Sequence, residues 1–248
     1  MNKIVKEKLK QGGTLLIIVI AFVCALAIML KYENEGEKNM PFVLKEIFTV
    51  SSAEAENKAE NPNNNKWNMN INQYNDVYIQ FEKNEKYTKT AYIKNITIEN
   101  INITNPELGT VSLYTPNSTE GKLFSYEDPY LIKNSLTYKG ASIDNKKTLE
   151  VANQGGTIIF RIVNKNVSEY ISNSDDEIAY DGTLLNKTNV NLEKIKFNIN
   201  FDIVIQTENN QYRGNITMSL PEKDIEQGVS KTTINDFSNI IFKRENTW

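Results

Sequence analysis

IKFNINFDIVI, Ile195 to Ile205, alternates in the period of a β-strand. Ile195, Phe197, Ile199, Phe201, Ile203 and Ile205 share one parity, and Lys196, Asn198, Asn200, Asp202, Val204 and Gln206 share the other. Successive strand side chains point to opposite faces, so this is a half-buried strand with one wet face. Glu208-Asn209-Asn210-Gln211 then supplies turn chemistry, Ile216, Met218 and Leu220 form the returning strand, and Pro221 stops it. The stretch predicts a β-hairpin.

Working outward, Trp67, Met69 and Ile71 alternate with polar residues, Asn72 to Asp76 are turn formers, and Val77, Ile79 and Phe81 alternate again, which predicts a second hairpin. Ile96 and Ile98 share one parity and Ile101 and Ile103 the other, so a bulge or bend is expected near Glu99-Asn100. Val111, Leu113 and Tyr114 follow, and Thr157 to Val163 is apolar on both parities, the pattern of a central strand covered on both faces. Phe42 to Val50 reads as an initial strand, and AEAENKAENPNNNK, Ala53 to Lys66, as a polar linker. Val190 to Lys194 and Ile234 to Ile241 are the two short helices expected, the latter from a stripe of Ile234, Phe237 and Ile241. Many short strands without a βαβ rhythm predict a mainly β chain, an antiparallel β-sandwich-like domain with one or two short helices.

Leu15 to Leu30, LLIIVIAFVCALAIML, carries no charge, and Gly12, Gly13 and Thr14 extend it to about the length a bilayer requires. Eleven Leu, Ile, Val or Phe residues give about −3 to −7 kcal/mol for insertion. Lys3, Lys6, Lys8 and Lys10 precede the span, and Glu33, Glu35 and Glu37 follow it beside Lys31 and Lys38. The positive-inside bias predicts a cytoplasmic N-terminus and a lipid bilayer contact through Leu15 to Leu30. The organisation expected is a basic cytoplasmic tail (1–13), a transmembrane helix (14–31), a membrane-proximal strand and linker (32–66) and an extracytoplasmic β-rich domain (67–248). Two competitors stand beside it. Ala25-Leu26-Ala27 has the small-x-small form of a signal-peptidase site, but Ile28, Met29 and Leu30 continue the apolar run past it. A pilin-like start at Gly13 lacks the acidic residue at its fifth position, where Ile18 stands, and Gly36 and Pro41 end the helix early.

The chain contains no histidine, and its one cysteine, Cys24, lies in the apolar run. Ser-His-Asp and Cys-His nucleophiles and His-ligated zinc are thereby excluded, as is an intrachain disulfide. Residues 32 to 248 carry 23 basic and 30 acidic side chains, once the five lysines and one glutamate of residues 1 to 31 are taken from 28 and 31, a net of −7. That balance, with no basic run, argues against nucleic acid.

Three features are candidate sites. Asn173-Ser174-Asp175-Asp176-Glu177 gathers carboxylates that could ligate Ca²⁺, but Asp175, Asp176 and Glu177 match no EF-hand spacing, and a solvated acidic turn is the plainer reading. Arg161 stands in the most apolar strand and must pair with a carboxylate or face an anionic ligand; a structural ion pair or an exposed edge position is the plainer reading. Asn153-Gln154-Gly155-Gly156 lacks the lysine and following helix of a P-loop and reads as a glycine turn. No pattern implies a cofactor, and nothing singles out a pair of carboxylates for catalysis.

MPFVLKEIFTVSSAEA (Met40 to Ala55), VANQGGTIIFRIVNKN (Val151 to Asn166), DGTLLNKT (Asp181 to Thr188) and FSNIIFKR (Phe237 to Arg244), with the N-terminal anchor, resemble a group of single-pass membrane proteins of unknown function in low-GC Gram-positive bacteria. The resemblance covers most of the chain and implies a bacterial cell-surface setting with one extracytoplasmic domain. It brings no activity, ligand or catalytic residue. The expectation is a non-enzymatic binding or structural protein of the cell envelope, with a protein or glycan partner. The alternatives are a carboxylate-based envelope enzyme of glycosidase type and a pseudopilin-like subunit.

Overall fold

The computed structural model describes residues 3–58, 66–114, 131–132, 135–141, 149–173, 183–226 and 228–245. It opens with a 33-residue helix α1 (Lys3–Glu35), whose side chains from Gln11 to Leu30 are all exposed. Its segment Gln11–Glu35 is long and apolar enough to span a membrane, consistent with a single-pass anchor. Gly36 ends it, with φ +68° and its N–H donating to Tyr32 O at 2.8 Å.

Two sheets follow, antiparallel except for one short parallel pairing. The first has the order β11 (Val229–Ile234), β1 (Phe42–Asn57), β2 (Lys66–Lys83), β8 (Thr157–Asn173) and β4 (Thr110–Tyr114). The second has the order β12 (Lys243–Glu245), β10 (Gln211–Leu220), β9 (Phe197–Thr207), β3 (Ile93–Ile103), β6 (Ser135–Gly140) and β5 (Leu131–Ile132), with β7 (Glu150–Val151) parallel to β6. Their inner faces form one apolar core, including Val77, Ile79, Phe160 and Ile162 from the first sheet and Ile98, Phe201 and Ile203 from the second. Phe160 and Phe201 meet edge to face across the interface, 5.6 Å between centroids. Burial of each such side chain contributes about 1.5–3 kcal/mol.

The first sheet outruns the second. Its far end is covered by α2 (Thr183–Thr188) and α3 (Leu192–Ile195), whose Leu184, Leu185 and Ile195 join Ala53, Ile71, Val167 and Ile225 in a second apolar cluster. A polar belt divides the clusters. Gln73 Nε2 donates to Asn75 Oδ1 (3.2 Å), Asn75 Nδ2 to Ile162 O (3.2 Å), and Asn164 Nδ2 to Leu108 O (3.0 Å).

The hairpin at 195–220 forms as read, with β9 and β10 joined through residues 208–210 and Ile205 opposite Tyr212. Ile195 itself is the last residue of α3 rather than the first of the strand. The phase slip in β3 is a bulge: register shifts between Glu99 and Asn102, with Asn100 at φ +53°. Asparagine tolerates that left-handed conformation.

Four expectations are corrected. The hairpin at 67–81 is a single strand, β2, because the inward parity never changes. Gln73 and Asn75 continue the buried side between Ile71 and Val77; Gln73 Nε2 donates to Asn75 Oδ1 and Asn75 Nδ2 to Ile162 O, which takes up both Asn75 groups and leaves the Gln73 Oε1 without a partner among the described residues. The linker from Ala53 instead begins as strand, β1 running to Asn57; Ala53 is buried beside Leu184 and Leu185 while Glu54 is exposed. Residues 59–65 of that linker lie outside the described residues. The helix over Ile234 to Ile241 does not form: Ile234 ends β11, and Asp236 accepts from the Ser238 N–H at 3.0 Å, a side-chain turn that competes with helix. Finally, β8 is interior to its sheet but only partly covered on the side away from the core, where Val163 is buried, Ile159 half-buried and Arg161 exposed.

Candidate functional site

Arg161 stands on the outer face of the first sheet, in register with Asp76 of β2 and Tyr114 of β4. Its Nε and Nη2 donate to the two Asp76 carboxylate oxygens at 2.6 and 2.8 Å, a bidentate pair. The guanidinium lies over the Tyr74 ring, 5.4 Å from the centroid. The hydrogen bond to Asp76 holds the Arg161 pKa above its usual value, against the opposing effect of burial. The Tyr74 hydroxyl donates to Glu56 Oε1 at 3.1 Å, and burial first, then the Glu56 charge, push its pKa up to about 12. One register step away, Phe48, Tyr78 and Ile159 lie side by side across β1, β2 and β8, the two rings 5.7 Å apart and tilted by 50°. All three are half-buried, as is Val50. The face therefore presents aromatic and aliphatic surface around a fixed cation whose Nη1 takes no part in the Asp76 pair. Such a mixture, rich in Tyr and Arg, suits a binding surface.

Sequence reasoning named Arg161 but neither partner. Asp76 sat in what read as a turn, so the cross-strand register that brings it opposite Arg161 was lost with the second hairpin. Asp175, Asp176 and Glu177 lie outside the described residues, and among those described no group of three acidic or sulfur side chains is placed to hold a metal.

A second polar centre was not anticipated. On the outer face of the other sheet, Arg213 of β10 bridges Glu99 Oε1 (2.6 Å), Asp202 Oδ2 (3.0 Å) and Glu245. Burial acts to raise the Asp202 carboxyl, but hydrogen bonds from Asn215, Asn100 and Arg213 outweigh it and hold the pKa below the usual carboxylate range. Glu99 and Asp202 touch the same nitrogen, so their bonded oxygens are at most 5.6 Å apart, the sum of the two distances. That is near the separation of a retaining glycosidase, yet such a pair needs one carboxyl kept protonated and open space between the two. Here Arg213 fills the space and Asp202 is held ionised, so the cluster is built as a structural ion network. The signal in the sequence was the outward parity of Asp202 and Arg213 on the two hairpin strands.

The third feature is a cavity of about 520 Å³ where the helix meets the domain. Met40, Val43, Leu44, Phe237, Ile240 and Phe242 form its apolar walls. Glu35, Glu37, Lys38 and Lys86 add charged groups. The junction is fixed by hydrogen bonds from Glu37 N to Phe242 O (2.7 Å) and from Arg244 N to the Tyr32 hydroxyl (2.8 Å), and by the Lys243–Glu33 ion pair. Gly36 makes this approach possible, since a Cβ there would lie 2.4 Å from Phe242 O. Gly36→Ala is accordingly expected to cost about 1–2 kcal/mol from the left-handed backbone alone. Hydrogen exchange should show protection lost at the Glu37 amide while the Phe201 amide, deep in β9, keeps its own.

No protein-family model, curated protein or solved structure matches the chain, so the site is described from its own geometry.

Proposed function

We propose that this protein is a membrane-anchored, non-enzymatic binding protein of the bacterial cell envelope, with its N-terminus cytoplasmic and its β domain outside. The outer face of the five-stranded sheet engages a protein partner. The observation that carries the reading is that face, where Arg161 is pinned by Asp76 and stacked on Tyr74 beside Phe48, Tyr78 and Ile159. Aromatic rings and an ion-paired arginine held rigid by a sheet lose little freedom on binding, which is how such a surface gains affinity. The orientation follows from lysines preceding the span and glutamates following it.

The test is mild cross-linking in the native membrane through a C-terminally tagged full chain, with identification of what co-purifies against an anchor-only control. A reproducible protein partner is expected. Arg161→Ala should reduce its recovery about tenfold or more if the residue is central to the interface. The Arg161–Asp76 pair is exposed enough, 48% and 20% at the side chains, that stability should change by about 1 kcal/mol or less. Recovery unchanged by Arg161→Ala would move the interface off this face, and recovery of glycan alone would replace the protein partner.

A further inference from the structure

We propose that the cavity at the helix–domain junction binds one phospholipid from the leaflet where α1 ends, an inference that rests on α1 being a membrane anchor. Leu30 closes the apolar run, and Glu35 lies five residues on, about 7.5 Å along the axis. The headgroup layer on each side of a bilayer is about 5–7 Å thick. Glu35, Glu37 and Lys38, which line the cavity, therefore stand at its outer boundary. The hydrogen bonds from Glu37 to Phe242 and from Arg244 to Tyr32 hold the domain against this last turn, and so hold the cavity at the membrane end of the helix.

The walls match that occupant. Phe237, Ile240 and Phe242 offer an apolar wall, and the neighbouring Ile241 is 36% exposed. Asn84 fixes the opposite wall, donating from Nδ2 to Met40 O (2.8 Å) and from its backbone N–H to Pro41 O (2.9 Å), while its Oδ1 accepts from Lys86 N (3.0 Å). Lys38 is paired with Glu35 at 2.5 Å, whereas Lys86 makes no ion pair among the described residues. The Lys86 ammonium is thus the cation for a lipid phosphate, with one acyl chain bent out of the hydrocarbon layer against the phenylalanines. The walls are assembled from three distant parts of the chain, 35–44, 84–86 and 237–242, which explains why a search for local motifs finds nothing here.

The experiment places p-benzoylphenylalanine at position 237 of the full chain, reconstituted in vesicles of phosphatidylglycerol and phosphatidylethanolamine. Illumination should yield a covalent adduct of phospholipid mass. The same probe at Ile171, exposed at the far end of β8, should yield none. Val43→Trp, which fills the cavity, should cut the adduct about tenfold, equivalent to about 1.4 kcal/mol of occupancy, and Lys86→Glu should reduce it several-fold while leaving the far-ultraviolet circular dichroism unchanged. An adduct unaffected by both substitutions would mean mere contact with the bilayer, and a protein adduct would mean another occupant; either overturns the proposal. Alkaline extraction of the same vesicles separates the two levels: a chain released by alkali takes the anchor reading down with the pocket, whereas a retained chain without adduct sinks the pocket alone.

Discussion

Phe201→Ala is expected to lower the stability of the β domain by about 3–5 kcal/mol, the range for deleting a fully buried aromatic side chain. Phe201 has no exposed surface and sits in the middle of β9, flanked by β10 and β3 in its own sheet and facing Phe160 of β8. Three contributions add: the transfer of a large apolar side chain, the residual cavity between two sheets that cannot collapse independently, and the edge-to-face contact itself, about 0.5–1.5 kcal/mol. Urea unfolding of the full chain in detergent micelles, followed by far-ultraviolet circular dichroism, reads the loss as a lower midpoint. The α1 signal stays in the micelle and does not contribute to the transition. The double variant Phe160→Ala with Phe201→Ala should cost less than the sum of the two singles, because the ring contact can be lost only once. Strict additivity, or a single-variant loss under about 1 kcal/mol, would mean that the two sheets do not pack through these rings.

How much of this arrangement the sequence discloses depends on whether polarity and geometry agree locally. In β9 they do: every inward residue from Phe197 to Ile205 is apolar, and the strand, its turn and its partner β10 were all readable. The bulge at Asn100 was readable for the same reason, since apolar residues reported the change of face directly. In β2 they disagree. Gln73 and Asn75 are inward and fully buried, and a run of Asn, Gln, Tyr and Asp in the middle of a strand has the composition of a turn. The parity of Met69, Ile71, Val77, Ile79 and Phe81 already pointed to one uninterrupted strand, and local turn chemistry hid it. Ala53 and Ala55 failed differently: small residues face inward because α2 packs above them, and alanine has low strand propensity, so tertiary packing overrides a local preference that favoured a linker. The site was less legible than the fold. Arg161 was conspicuous as a charge in an apolar strand, but its meaning depends on Asp76 and Tyr74, some 85 residues earlier in the chain. The Arg213 network and the junction cavity are likewise properties of register and long-range closure, which no window of sequence contains.

Arg213→Met is expected to cost about 1–3 kcal/mol at neutral pH, and the cost should shrink in acid. Methionine keeps most of the aliphatic stem but leaves Glu99, Asp202 and Glu245 facing one another without a cation. Breaking a fully buried pair costs about 3–5 kcal/mol. Here the side chains retain 28% exposure at Arg213 and 16–34% at the carboxylates, so solvent screens part of the repulsion and the smaller range applies. The pH dependence has a definite sign. Asp202 in the native protein is held below the usual carboxylate range, so it contributes stability that is present above that range and lost as pH falls through the lower native value. In the variant Asp202 loses the Arg213 hydrogen bond and charge and faces two other carboxylates, so its folded pKa rises and protonation relieves the strain. The stability gap between the native protein and Arg213→Met should therefore be widest near pH 7 and narrow below about pH 4. Added salt should narrow it as well. The structural consequence lies at β12, which among the described residues is held to β10 by three residue pairs and by the bonds from Arg213 and Gln211 to Glu245. Loosening β12 removes the wall that Phe242 provides to the junction cavity and the Arg244 contact to Tyr32. Hydrogen exchange should accordingly increase at Arg244 and Glu37 in Arg213→Met before the rest of the second sheet responds. If the pH profiles of the two proteins run parallel, the cluster contributes no charge-dependent stability and β12 is held by its backbone pairing alone.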